Sequence, residues 1–477
     1  MFFGKIAIYP YVRQTDISKS MQLSSGWYMA KGVKSTVERR LTGKRYQKCV
    51  ASLFCCVLLS FSNSALAFNE AQPSRTQQAA PQASFATIVV IYIKVAGTSP
   101  PGTPDYLKSP SNEGTAGASV AIEDANITGK FLGYQFELTE ISVPSIGELQ
   151  ASLAKTRKHS GSSANTNHKE ISSNQQGNIA PVVLLDMRSS DKVKAASIEQ
   201  LIANIQSTLP NAVFFNVANS DDLLRQNSCR LPLFHTIPSY QMKADALAQW
   251  FRTKRIDEIF AVYGKTADDA AYLAAFKRSA KKFKLSLVET KQWQDSFDLR
   301  RAAFAEIPQF TRTRETYQAV FTADSAAQFA YSLPFNTYYP VPVVGAAGLK
   351  ALGWHFTHEQ WGARQLQSRF NDGFNRHMNE VDFAAYLAVT AVANAAQQGS
   401  DLTQQGILKT LLSDDYTLGA YKGRPLSIRP YTHQFRQPIA LAHEDALVTH
   451  APLEGFLHQT NELDTLGATH TTCKDKL

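Results

Sequence analysis

The chain has 477 residues, of which 44% are hydrophobic and 10% aromatic, enough to fill the cores of two or three compact units. Its formal net charge of +9 is concentrated at one end, because residues 1–67 hold 10 of the 49 Lys and Arg residues but only 2 of the 40 Asp and Glu residues. The remaining residues are almost neutral, which argues against a nucleic-acid-binding protein, since such a protein carries its basic residues on the folded part.

The first 67 residues have the layout of a secretory signal with an N-terminal extension. Basic residues at 39–48 precede Cys49–Phe61, a run without a charge, and Ser64–Ala67 supplies the small residues that signal peptidase accepts. A helix of that length spans about 20 Å, which is short of the roughly 30 Å of a bilayer's hydrocarbon core and disfavours a transmembrane anchor. We predict cleavage after Ala67 and export to the periplasm, with either Met1 or Met29 as the start.

Five cysteines occur in the chain, and three of them lie in the predicted signal. The other two are Cys229 and Cys473. In an oxidising compartment they either form a disulfide or remain as two free thiols, and we expect the disulfide. The sequence has no CxxC pair and no Cys/His cluster, so neither a metal nor another cofactor is predicted.

Ordered structure is predicted to begin after a flexible leader at 68–85, which is rich in Gln, Ala, Pro and Ser. Ala86–Ile93 is a continuous apolar run, typical of a buried parallel strand. A Pro/Gly-rich loop at 97–110 follows, and then a helix from Ser111 to Asn126. The polar tract at 156–179 is predicted to be a surface insertion.

Strands and helices alternate along the next part of the chain. Predicted strands cover 134–141, 181–186, 212–217, 258–263, 284–290, 317–322 and 340–344, and predicted helices cover 145–155, 191–208, 240–254, 266–282 and 324–332. This alternation predicts the α/β class, with mostly parallel sheets and helices on both faces. Its length, roughly 260 residues, exceeds one such sheet and predicts two lobes, with a crossing near 232–240. Helices are predicted to dominate 358–412, and strands the chain after 415.

Short catalytic motifs are incomplete in this sequence. Gly264-Lys265-Thr266 resembles the end of a phosphate-binding loop, but Ile259 stands where that motif requires glycine. His358-Glu359 resembles the start of a zinc-protease motif, but Gly362 stands at the second histidine. Gly114–Gly117 lacks the pattern of a dinucleotide-binding turn and instead predicts close helix packing. The sequence therefore favours a binding protein over an enzyme.

Several longer segments resemble the type I periplasmic solute-binding proteins of the branched-chain amino acid ABC-transporter class. More narrowly, they resemble the subgroup associated with pyrroloquinoline-quinone (PQQ)-dependent alcohol dehydrogenase systems. The segments are Cys229-Arg230, Phe234–Ser239, Asp245–Gln249, Trp354, Glu359–Leu366, Arg436–Ile439 and Glu454–His458. The resemblance extends from residue 86 to about residue 473.

The resemblance implies a hinged clamshell of two lobes that closes around a small solute. Lobe 1 is expected over 86–238 and 345–412, and lobe 2 over 239–344. Residues 413–477 are expected to form a β-rich C-terminal segment that completes the lobes. The long loop at 97–110 and the insertion at 156–179 are extra, so amino-acid specificity is not implied.

Candidate ligand-binding residues follow the predicted strands, because ligands of α/β folds bind at the carboxyl ends of strands. Asn219, Ser220 and Asp221 occupy the turn after the strand that ends at Val217, where exposed amides suit a carbonyl or anionic group. Tyr263 ends a strand of lobe 2, where related proteins place a tyrosine over the ligand, and Asp324 follows another. Turn formation and helix capping explain the same residue types equally well.

The function that the sequence predicts is solute capture for an ABC importer, with the membrane permease complex as its partner and a link to PQQ-dependent alcohol oxidation. The alternative is an accessory or sensor protein that uses the same clamshell to bind a periplasmic partner, such as a dehydrogenase or a histidine kinase.

Overall fold

A computed structural model describes residues 85–95, 108–149, 152, 179–188, 195–227, 231–294 and 306–468. Its strands are Ala86–Val95 (β1), Tyr134–Val143 (β2), Val182–Asp186 (β3), Val213–Asn216 (β4), Leu233–His235 (β5), Glu258–Tyr263 (β6), Ser286–Gln292 (β7), Ala319–Ala323 (β8), Val343–Gly345 (β9), Lys350–Leu352 (β10), Ser427–Ile428 (β11), Phe435–Arg436 (β12), Ile439–His443 (β13) and Ala446–Ala451 (β14). Its α-helices are Thr115–Leu132 (α1), Ala195–Thr208 (α2), Asp222–Asn227 (α3), Tyr240–Thr253 (α4), Ala267–Phe283 (α5), Ile307–Thr311 (α6), Leu333–Asn336 (α7), Ala363–Phe374 (α8), Glu380–Gln397 (α9) and Gln404–Leu411 (α10).

The first lobe is built on a parallel sheet in the order β2-β1-β3-β4-β5. Alternate residues of β1 serve opposite faces, as the two-residue period of a strand requires. Val90 and Tyr92 belong to the core shared with α1 and α9, whereas Ile91 and Ile93 belong to the core shared with α2. Both faces of the sheet are therefore covered by helices, which explains the continuous apolar run of β1.

The second lobe is built on a parallel sheet in the order β7-β6-β8-β9. Ile259 and Phe321 face the core formed with α4 and α5, where the rings of Phe276 and Phe321 stack with centroids 3.9 Å apart. Phe260 faces the opposite core, which also contains Trp293. Two separate parallel sheets with helices are present, as the sequence predicts.

Helices α1 and α9 pack closely through Gly117. A Cβ atom at Gly117 would lie 1.9 Å from the backbone oxygen of Asp382, so only glycine fits at this crossing. The Asp382 carboxylate also accepts the N–H of Gly114 at 2.7 Å, just before α1 begins. The predicted helix packing at Gly114–Gly117 is confirmed.

Three segments of the described chain cross between the lobes, following β5, β10 and β12. Polar side chains bind these segments to one another. Gln437 donates to the Thr236 carbonyl oxygen at 2.6 Å, and the Lys422 ammonium donates to the carbonyl oxygens of Gly353 and Pro438. After the third crossing, β13 and β14 form an antiparallel sheet with β10 in the order β10-β13-β14. Ile439 and Leu441 of β13 enter the core of the second lobe.

One predicted element was wrong. The helix expected over 324–332 is replaced by a 3₁₀ turn at Ala330–Ser332 followed by α7. The Asp324 carboxylate accepts the N–H groups of residues 328–330, which holds the chain in a turn before the helix.

Several sequence predictions lie outside the described residues. They are the signal at 1–67, the leader at 68–84, most of the loop at 97–110, the insertion up to residue 178, and the Cys229–Cys473 pair. Within the described ranges, no helix combines the length and apolar character needed to cross a membrane.

Candidate functional site

The carboxyl ends of the strands share one edge in each sheet, because all strands of each sheet are parallel. Ligands of open α/β sheets bind at this edge. The chain leaves the edge of the first sheet after β5 and enters α4, the first helix of the second lobe. The loops at the two carboxyl edges are therefore the first place to look for a ligand site.

The loop after β4 carries three predicted site residues, and its polar groups bond largely to one another. Asn216 accepts the N–H of Asn219 at 2.9 Å, and Asn219 accepts the N–H of Asp221 at 2.8 Å. Asp221 in turn accepts the N–H of Leu223 at 3.0 Å and so caps α3. These contacts show how the loop is held in shape.

Arg225 fixes this loop from α3. Its guanidinium donates to the carbonyl oxygens of Asn219 and Asp221, both at 2.8 Å, and to that of Ile237 at 2.9 Å. Burial lowers the pKa of Arg225 to about 10, so the group remains charged at neutral pH. One buried cation thus ties the loop after β4 to the first crossing segment.

Ser220 connects the first lobe to a cavity in the second. Its carbonyl oxygen accepts the N–H of Tyr240, the first residue of α4, at 2.8 Å. Tyr240 also lines a cavity of about 220 Å³ at the carboxyl edge of the second sheet, here called the edge cavity. Its lining comprises Tyr240, Lys243, Asp268, Asp269, Tyr272, Asp324, Ser325, Gly345, Ala346, Lys350, Ala351 and Leu352.

Asp324 lines the edge cavity, as one of the predicted residues. Its carboxylate accepts the backbone N–H groups of Phe329 at 2.7 Å and Ala330 at 2.8 Å. Burial raises the pKa of Asp324, and these hydrogen bonds oppose that rise. Tyr263 ends β6 beside it, is half-buried, and packs against the core of the second lobe. Asp324 is thus both a capping residue and a wall of the cavity.

Two tyrosines form the aromatic wall of the edge cavity. The rings of Tyr240 and Tyr272 stack with centroids 4.9 Å apart. Burial, followed by the negative charge of Asp268 and a hydrogen bond to it, raises the pKa of Tyr240 well above its ordinary value. The phenol therefore stays protonated and can act as a hydrogen-bond donor.

Acidic groups dominate the charge of the edge cavity. Asp269 accepts the N–H of Thr266 at 3.0 Å and that of Ser325 at 2.6 Å, which joins the loops after β6 and β8. The lysines of the lining each bond a glutamate: Lys243 pairs with Glu380 at 2.8 Å and Lys350 pairs with Glu444 at 3.0 Å. The three aspartates of the lining therefore favour a ligand that donates hydrogen bonds, such as a hydroxyl or an amine.

A polar cluster, largely buried except for the Arg188 side chain, occupies the carboxyl edge of the first sheet. The Tyr92 hydroxyl donates to Asp186 at 2.9 Å, Arg188 pairs with Glu113, and Asn379 donates to Glu113 at 2.6 Å. Burial is the main cause that raises the pKa of Tyr92 and that of Asp186. This cluster joins β1 and β3 to the starts of α1 and α9.

The rejected motifs have structural roles. Thr266 caps α5, accepting the N–H of Asp269 at 3.1 Å in a capping box. His355 contacts the Glu444 carbonyl oxygen at 3.2 Å, and His358 contacts that of Tyr421 at 2.9 Å. Among the residues with described positions, no group of three or more His, Cys, Asp or Glu side chains is placed to hold a metal ion.

Sequence reasoning missed most of the edge cavity. Tyr240, Tyr272 and Asp268 lie within predicted helices, and their spacing in the sequence gives no sign that they meet. The only sequence signal for them was that their helices start directly after a strand or a crossing, which places the helix starts at the carboxyl edge of a sheet.

Comparisons with known proteins identify the fold. No protein-family model and no curated protein matches the sequence. A closed leucine-, isoleucine-, valine-, threonine- and alanine-binding protein from Brucella ovis matches with a TM-score of 0.56 and 10% identity, covering 77% of this chain and 92% of that protein. A branched-chain amino acid transporter substrate-binding protein from Streptococcus pneumoniae, in complex with isoleucine, matches with a TM-score of 0.53 and 14% identity, covering 76% and 98%.

A third structure supports the same assignment. A periplasmic ligand-binding protein of a branched-chain amino acid ABC transporter from Burkholderia xenovorans matches with a TM-score of 0.55 and 13% identity, covering 76% of this chain and 95% of that protein. At such low identity these likenesses show the fold alone. The chain has the two-lobed α/β fold of periplasmic binding proteins, as predicted.

Proposed function

We propose that this protein is the periplasmic solute-binding component of an ABC-type importer and has no catalytic activity of its own. The observation that carries the proposal is the two-lobed fold, which coincides over about three-quarters of the chain with an amino-acid-binding protein and with two proteins described as the substrate- or ligand-binding proteins of amino acid transporters, one of them of the ABC type. In such a fold a ligand favours closure only when it contacts both lobes.

The proposed ligand site joins the edge cavity to the loop after β4. In the second lobe, the proposed ligand contacts are Asp324 and Tyr263. In the first lobe, they are Asn219, Ser220 and Asp221. Tyr240 links the two lobes, because its N–H donates to the Ser220 carbonyl oxygen and the residue lines the edge cavity. We add Tyr240, Tyr272 and Asp268 to the predicted set, since they supply the aromatic wall and an acceptor.

The ligand is proposed to be a small solute with hydroxyl or amine donors. The edge cavity, about 220 Å³, is smaller than the roughly 300–1,000 Å³ of sites for drug-sized ligands. The acidic lining favours hydrogen-bond donors. A link to PQQ-dependent alcohol oxidation, which the sequence resemblance suggests, points to alcohols among such donors.

A thermal-shift screen of the purified protein tests the proposal, with amino acids, alcohols, aldehydes and quinone cofactors as the panel. A ligand at 100 times its dissociation constant stabilises the folded state by about 2.7 kcal/mol. For any ligand found, Tyr240→Phe is expected to reduce the shift, because it removes the phenol and keeps the ring. Tyr431→Phe is the matched control, since that side chain is 59% exposed and outside the cavity lining.

The accessory or sensor function is the outcome that would replace transport. It predicts no shift with any member of the panel, together with direct binding to a purified periplasmic dehydrogenase or histidine-kinase sensor domain. A permease and an ATPase encoded next to this protein would favour transport, whereas an isolated dehydrogenase neighbour would favour the accessory function.

A further inference from the structure

A second and larger cavity, of about 550 Å³, lies beside the third crossing between the lobes. It is called the Trp361 cavity here. Its walls come from the loop before α8, the turn after Tyr421, and β14 with the residues that follow it. The residues that matter for its chemistry are Trp361, Lys422, Gly423, Arg424, His450 and Glu462.

One wall of the Trp361 cavity is aromatic. The Trp361 side chain is 56% exposed, which is unusual for an indole in a concave surface. A Cβ atom at Gly423 would lie 2.5 Å from the indole ring, so the ring packs directly on the backbone there. His450 continues the wall, and the ring of buried His358 packs edge-on behind it, with ring centroids 4.7 Å apart. Such a surface suits a flat, unsaturated ligand.

A buried cation lies at the same cavity. The Lys422 residue is only 4% exposed, and its ammonium donates to the carbonyl oxygens of Gly353 and Pro438 and to Gln437 Oε1, all of them uncharged acceptors. The negative charge of Glu380 favours the charged form of Lys422, but the Glu380 carboxylate is already paired with Lys243. The charge of Lys422 is therefore poorly balanced.

The other ionisable groups around the cavity do not supply a spare negative charge. Arg424 pairs with Glu462, so these two charges balance each other. Burial lowers the pKa of His450 to about 4, which leaves that ring neutral at pH 7, and burial also lowers the pKa of His358. Burial lowers the pKa of Lys422 to about 7, the response expected of an ammonium without a close counter-ion.

The backbone of the cavity wall adopts conformations that non-glycine residues rarely take. Trp361 has φ 53° and Tyr421 has φ 57°, both in the left-handed region. Residues held in this region are concentrated at binding sites, where the surrounding structure fixes them. The strained segments here hold the exposed indole and the buried ammonium at one cavity.

We propose that the Trp361 cavity is a second binding site, for a small aromatic carboxylate whose ring stacks on Trp361 and whose charge is attracted by Lys422. This site is additional to the proposed solute site at the edge cavity. It lies next to the segments that cross between the lobes, because Lys422 bonds both Gly353 and Pro438.

Isothermal titration calorimetry with benzoate tests the proposal on the purified protein. Benzyl alcohol has the same ring without the charge, and cyclohexanecarboxylate has the same charge without the flat ring. We expect benzoate to bind and each analogue to bind at least about tenfold more weakly, the factor that corresponds to 1.4 kcal/mol. No heat of binding with benzoate, or equal affinity for benzoate and benzyl alcohol, would overturn the proposal.

Three variants show which of the two cavities binds benzoate. Trp361→Ala and Lys422→Met are each expected to weaken benzoate binding about tenfold or more, whereas Tyr240→Phe, in the edge cavity, leaves it unchanged. Circular dichroism checks that each variant is folded. If Lys422→Met does not fold, Trp361→Ala decides, because its side chain is mostly exposed. Benzoate binding that survives Trp361→Ala but is lost in Tyr240→Phe would refute the second site.

Discussion

Replacing Gly117 by alanine is predicted to destabilise the first lobe strongly. The new Cβ would lie 1.9 Å from the Asp382 carbonyl oxygen, whereas ordinary contact begins near 3.4 Å, so α1 and α9 must separate by about 1.5 Å. Overpacking of this kind costs about 1–3 kcal/mol, and the better helix propensity of alanine returns about 0.5–1 kcal/mol. Because the clash is with backbone atoms and requires a displacement of about 1.5 Å, the cost lies at the upper end of that range, so we expect a net loss of about 2 kcal/mol in the free energy of unfolding.

Gly373→Ala is the matched control, because it makes the same change in a helix without the contact. Nothing lies within 4 Å of a Cβ at Gly373, which is exposed on α8. Because Gly373 is the penultimate residue of α8, we expect a small rise in the free energy of unfolding, of up to about 0.5 kcal/mol. Urea denaturation followed by circular dichroism measures both variants. Equal stability of the two would refute the argument that the α1–α9 contact requires glycine.

Four further variants test three other sites. Thr266→Ala removes the cap of α5 and is expected to cost about 1 kcal/mol in urea denaturation, most of which Thr266→Asp should restore; no loss would show that the cap is dispensable. Tyr92→Phe removes the hydroxyl that donates to buried Asp186 and is expected to cost about 1–3 kcal/mol, and an unchanged midpoint would contradict this. The pKa of His450 is lowered to about 4 in the folded state, so on acidification His450 takes up its proton in the unfolded chain first. The free energy of unfolding is therefore unaffected by His450 above about pH 6.5 and falls by up to about 3 kcal/mol as the pH drops to about 4. In His450→Gln this loss between pH 6.5 and 4 should be smaller, and an identical pH profile would exclude His450 as its cause.

The sheet cores were predictable because their strands carry a local signal. Val182–Asp186 is buried at every position and begins with four apolar residues in succession. Glu258–Tyr263 has the predicted bounds. The small antiparallel sheet of β10, β13 and β14 was not predicted, because it pairs Lys350–Leu352 with Ala440–Ala442, about 90 residues away, and no local pattern encodes that partner.

The candidate site was predictable only in part, for the same reason. Asp324 was found because it directly follows a strand, a position that the fold rule selects. Tyr240 and Tyr272 were not found, because they come from two helices and stack only after the helices pack. The helix predicted from residue 324 failed because the Asp324 side chain competes for the N–H groups that a helix would need.

The bonds among the three crossing segments constrain how the halves of the molecule can move. Gln437 holds Thr236, and Lys422 holds Gly353 together with Pro438, so no segment can bend without carrying its neighbours. A change in the angle between the two lobes therefore has to move the three crossing segments together or break these hydrogen bonds. If the crossing segments move together, the same residues of the two lobes face each other in every closed state.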